Sequence, residues 1–104
     1  MDNFKAVYKI LSSLEASMDL EKPNIDMFSA DTLGVSYERW TKYMEMMLDC
    51  KYIKGVSIRE YVNGTKTVNC DDIQITLKGL EYLQENTIMR KLHNTAKGIT
   101  ELIP

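Results

Sequence analysis

A chain of 104 residues, 44% hydrophobic and 27% charged, is sized for one domain, residues 1–104, around a single core. No apolar run approaches the ~20 residues that span a bilayer, and Met-Asp-Asn-Phe-Lys enters a polar-faced helical pattern rather than a signal peptide, so a cytoplasmic protein without a membrane segment is expected. The net charge of −2 excludes the broad basic excess that supplies phosphate affinity in many nucleic-acid binders, leaving any such contact to a local patch.

Phe4, Val7, Tyr8, Leu11, Leu14 and Met18 recur at steps of three and four, which predicts a helix over about 3–18 with one apolar face. Asp2 or Asn3 caps it by accepting from an orphan backbone N–H, and the run Asp19 to Pro23 ends it. Asn24 to Phe28 fits either a brief first strand or the run into a second helix. Ser29 then caps a short helix over about 29–33, and Gly34 supplies the left-handed residue that stops it. Ser36 caps the next helix, about 36–50, whose apolar stripe is Tyr37, Trp40, Tyr43, Met44, Met47 and Leu48. Met46 falls at the edge of that stripe and is expected to be exposed. Helix, glycine turn and helix at this spacing form a helix-turn-helix.

From Tyr52 the period shifts toward two, which predicts a hairpin over about 52–75. Val56 and Ile58 alternate with polar neighbours, and Asn63-Gly64 is read as the positive-φ pair of a tight turn. Val68 and Cys70 lie on the return strand, Asp71-Asp72 interrupts it with a bulge or bend, and Ile73 and Ile75 resume the alternation. Thr76 caps a helix over about 76–86 with Leu77, Leu80 and Leu83 on one face. Ile88, Leu92, Ala96, Ile99, Leu102 and Ile103 predict a last amphipathic helix over about 88–103, weakened by about 1 kcal/mol at Gly98. The whole reads as α+β, a winged helix-turn-helix with a two-stranded wing and an extra C-terminal helix.

The chain resembles winged-helix proteins through Tyr52-Ile53-Lys54-Gly55-Val56, the Asn63-Gly64 tip and Ile75-Thr76-Leu77-Lys78-Gly79-Leu80. More narrowly it is similar to the YjcQ family, small proteins of Gram-positive bacteria and their prophages. That similarity rests on length, the helix leading to Tyr52-Ile53, the extra C-terminal helix, and the run Thr76-Leu77-Lys78-Gly79-Leu80-Glu81-Tyr82-Leu83. It implies a strand-to-helix junction in which threonine caps and glycine lets helix and sheet approach. It implies no catalytic residues. Lys51 stands where many winged helices place a glycine.

In a helix-turn-helix the second helix presents the side chains opposite its core stripe to the major groove. Here these are Glu38, Arg39, Thr41, Lys42, Glu45 and Asp49, and the acids outnumber the bases. Arg59 and Lys66 flank the hairpin tip, where a wing reaches a phosphate backbone or minor groove. The expected nucleic-acid contacts are therefore Arg39, Thr41, Lys42, Arg59 and Lys66. Two functions compete: a DNA-binding or transcription-associated protein of phage or prophage type, with double-stranded DNA as partner, and a non-catalytic module that holds an unknown protein through the acidic helix or the last helix. The last helix also offers a homodimer seam.

Enzyme chemistry, cofactors and metals find no support in the pattern. His93 is the single histidine and has no cysteine or serine set around it, and Asp71-Asp72 alone makes a poor cation site. Cys50 and Cys70 are read as reduced thiols, although a bridge between helix end and second strand stays open.

Overall fold

A computed structural model describes residues 2–86. The element order is α1 (Asn3–Ala16), a 3₁₀ turn (Ile25–Phe28), α2 (Ala30–Leu33), α3 (Tyr37–Asp49), β1 (Ile53–Lys54), β2 (Ser57–Glu60), β3 (Lys66–Asn69), β4 (Gln74–Ile75) and α4 (Leu77–Glu85). This is an α+β arrangement on the winged helix-turn-helix plan. The helix expected over 88–103 lies outside the described residues. Among those residues no helix is long and apolar enough to cross a membrane.

Caps set the helix starts as the sequence indicates. Asp2 accepts from the Phe4 N–H, Ser29 from Thr32, Ser36 from Arg39, and Thr76 from Gly79. Gly34 stops α2 at φ 71°, with its own N–H donating to Asp31 O and the Val35 N–H to Ala30 O. Segment 24–28 is the run into the second helix, the second alternative left open by the sequence, and not a strand. It is a 3₁₀ turn capped by the Asn24 side chain, and the Trp40 indole N–H binds the Phe28 carbonyl at 2.8 Å to hold α3 against it.

The core draws Ala6, Ile10, Leu11 and Leu14 from α1, Trp40, Tyr43, Met44 and Met47 from α3, Ile53, Ile73 and Ile75 from the ribbon, and Leu83 from α4. The buried face of α1 is rotated from the one the spacing marks. Phe4 and Met18 are exposed, whereas Ala6 and Ile10 are fully buried. Ser13 and Ser17 share the buried face, because each hydroxyl donates to the carbonyl four residues back and needs no other partner. On α4, Leu77 is exposed, and the glycine at position 79 meets the sheet instead. A Cβ there would lie 2.4 Å from Tyr52 O, so the close helix–sheet approach depends on glycine. Tyr82 fills the space beside it, its ring 4.9 Å from that of Tyr52. Burial pushes both phenols above their ordinary pKa, keeping them neutral.

The ribbon is two short ladders. β1 pairs antiparallel with β4 (Ile53 opposite Ile75), and β2 with β3 (Ile58 opposite Val68). Between them the chain breaks at Gly55-Val56 on one side and at Asp71-Asp72 on the other, where the sequence expects a bend. The tip departs from the expected two-residue turn. Gly64 is at φ 87° but Asn63 is not in the positive region, and Tyr61 and Thr65 close a three-residue loop through Tyr61 N–H to Thr65 O at 2.8 Å. Asn63 instead uses its side chain, accepting from the Thr65 N–H and hydroxyl.

Lys51 ends α3 at φ 65°, the left-handed residue of a cap in which its N–H binds Leu48 O and the Tyr52 N–H binds Met47 O. A side chain in that conformation costs about 1 kcal/mol. Lys51→Gly relieves the strain but frees the unfolded chain, so a net gain of no more than about 0.5 kcal/mol is expected, seen calorimetrically as a midpoint rise of about 2–3 °C.

Candidate nucleic-acid interface

The second helix of the helix-turn-helix and the wing stand side by side. The Val68 N–H donates to the Tyr37 hydroxyl at 3.1 Å, and Lys66 Nζ forms a 2.9 Å ion pair with Glu45 Oε2, the one salt bridge among the described residues. Between them runs a groove of about 410 Å³ lined by Tyr37, Glu38, Thr41, Lys42 and Glu45 of α3 and by Gly64, Thr65 and Lys66 of the wing.

The five expected contacts separate into different roles. Lys42 is exposed on α3, and its ammonium makes no hydrogen bond or ion pair with the other described residues. Arg59 is exposed on β2 and sits 5.6 Å from the Tyr61 ring, which steadies it by a cation–π contact near the tip. Arg39 is exposed, but its Nη1 donates to Asn3 Oδ1 at 2.9 Å, and the Tyr43 hydroxyl donates to the same oxygen. It thus leans toward α1 and away from the wing.

Two of the expected contacts need correction. Thr41 is buried, at 4% exposure, and its hydroxyl donates back to Tyr37 O, so it forms the floor of the groove rather than a reading side chain. The reason is that the wing packs against that side of α3. Lys66 is half-buried and already neutralised by Glu45. That hydrogen bond raises its pKa above the ordinary lysine value, against a smaller opposing effect of burial. A lysine raised in this way contributes to stability up to its ordinary pKa and loses that contribution as pH climbs through the raised value, so the clasp is intact at neutral pH.

Tyr37 and Glu45 are the residues that sequence reasoning missed as wing anchors. Tyr37 appears in the apolar stripe, yet it stays 43% exposed, with its ring stacked on Trp40 and its hydroxyl turned to the wing. A polar tip on an aromatic at the first helical position is the only signal for this in the chain. Met46 is exposed, as its place on the helical wheel indicates.

A family model described as YjcQ protein matches residues 8–102. The chain belongs to the YjcQ family. No curated protein and no solved structure matches it. In this YjcQ-family chain Cys50 and Cys70 are free thiols, the first exposed and the second buried. Burial pushes the Cys70 thiol above its ordinary pKa and keeps it protonated. Among the described residues no three His, Cys, Asp or Glu side chains gather as metal ligands.

Proposed function

We propose that this YjcQ-family protein is a non-catalytic cytoplasmic binder of double-stranded DNA, using α3 and the wing together. The observation that carries this is the union of a capped helix, with Lys42 exposed, and a β-finger, with Arg59 exposed, which Tyr37 and Glu45 bind together. A helix of this kind enters the major groove and a wing meets the flanking backbone. Two free thiols fit a reducing compartment. A phage or prophage setting in transcription is supported by the family resemblance alone.

Affinity is expected to be modest and salt-dependent, because α3 and the wing offer few cations, Lys66 is paired with Glu45, and Glu38, Glu45 and Asp49 share the helix with Lys42. Fluorescence anisotropy with a labelled random duplex, from about 20 to 200 mM salt, tests it. No binding at the lowest salt would remove the proposal. Glu45→Gln keeps the size of the side chain and removes the charge that neutralises Lys66. It is expected to tighten duplex binding and to steepen the log affinity–log salt line by about 0.9, one extra phosphate contact.

The acidity of α3 and the internal pairing of Lys66 favour a second reading, a scaffold that holds a protein through the same groove. On that reading the Glu45→Gln substitution leaves duplex binding absent.

A further inference from the structure

The loop at the apex of the wing carries no charge. Between Glu60 and Lys66 the chain runs Tyr61-Val62-Asn63-Gly64-Thr65, so the loop has nothing with which to neutralise a phosphate. Arg59 stands behind it, against the Tyr61 ring. What the loop presents is apolar: Val62 is fully exposed, and Tyr61 beside it is exposed as well. The loop is also slim, because Gly64 has no side chain and a Cβ there would meet nothing within 4 Å.

Its shape is set by its own bonds. The Tyr61 N–H donates to Thr65 O and the Gly64 N–H to Tyr61 O, and Asn63 Oδ1 accepts from both the N–H and the hydroxyl of Thr65. Asn63 therefore has its acceptor committed to the turn, while its Nδ2 donates to no other described residue. None of these bonds involves the Val62 side chain.

A slim, uncharged loop with a cation behind it suits the floor of a minor groove better than a phosphate wall. That groove is about 6 Å wide, and its floor shows only acceptors at A·T pairs, whereas G·C adds the guanine 2-amino donor. A valine methyl pressed on that amino group strips it of water and offers no acceptor in return, which is costly. Asn63 Oδ1 is already held by Thr65, but Nδ2 can donate to adenine N3 or thymine O2. Arg59 suits the stronger negative potential of a narrow A·T groove.

We propose that the wing tip reads the minor groove at A·T pairs and that Val62 is the residue that excludes guanine. This specificity rests on the duplex-binding reading above and adds a selecting residue to it. Fluorescence anisotropy at about 20 mM salt compares labelled duplexes of alternating G·C and of alternating I·C, in which inosine lacks only the 2-amino group of guanine. Both show α3 the same major-groove edges, so the difference between them lies in the minor groove. The native protein is expected to bind I·C at least about fivefold more tightly than G·C. Val62→Ser, whose hydroxyl accepts from the amino group, is expected to bring that ratio below about twofold and to leave the log–log salt slope unchanged, since no phosphate contact is lost. Val62→Thr, which keeps the branched shape and adds the same acceptor, is expected to do likewise. Equal affinity of the native protein for the two duplexes overturns the proposal and leaves duplex binding standing. A preference that survives in both variants also overturns it, assigning the selection to another element. Absence of binding to these and to the random duplex removes it together with the reading on which it rests.

Discussion

Gly55→Ala is expected to destabilise the protein by about 3 kcal/mol, a fall in thermal midpoint on the order of 15 °C. Two effects add at this position. The backbone is at φ 78°, where any side chain is strained, and a Cβ would stand 2.0 Å from the carbonyl oxygen of Asp72, backbone that has no room to yield. Gly64→Ala isolates the first effect. Gly64 is at φ 87° with nothing within 4 Å of the added carbon, so its loss is expected to be only about 1 kcal/mol. Urea or thermal unfolding of the pair measures the difference. Equal shifts for the two substitutions would show that the strand crossing at Asp72 is looser than its geometry requires.

Replacing Lys42 and Arg59 together by alanine is expected to flatten the salt dependence of duplex binding, reducing the log–log slope by about 1.8 for two lost phosphate contacts. Between 50 and 200 mM salt the native protein would then lose about tenfold more affinity than the variant. Both side chains are exposed and neither is part of the core, so stability should change by less than about 0.5 kcal/mol. A full-strength complex with an unchanged slope would move the interface away from α3 and the wing. The same substitutions made singly distinguish helix from wing, because each removes one contact from a different element.

The caps and breaks were the legible part of the fold. Ser29, Gly34, Ser36 and Thr76 each act where their chemistry places them, since a side-chain oxygen or a missing Cβ acts within a few residues. The buried face of α1 was less legible. Counting apolar residues put Phe4 and Met18 inward, whereas Ser13 and Ser17 occupy core positions by satisfying their own hydroxyls within the helix. The tip was misread because Asn63 has two ways to serve a turn, and it uses its side chain rather than a left-handed backbone. In the candidate site, the exposure of Lys42 and Arg59 was legible from their positions. The burial of Thr41 and the pairing of Lys66 were not, because both depend on which flank of α3 the wing covers, a contact between residues more than twenty apart in sequence.

The interruption of the ribbon at Gly55 and Asp72 makes the outer ladder a forearm beyond an elbow. Its bearing is not inherited from a continuous sheet. It is fixed at two latches on the neighbouring rod, the Tyr37 hydroxyl on Val68 and the Glu45 carboxylate on Lys66. Divergence at those two helical positions can therefore re-aim the fingertip without touching a single strand residue. Relatives with the same hairpin sequence need not point it the same way.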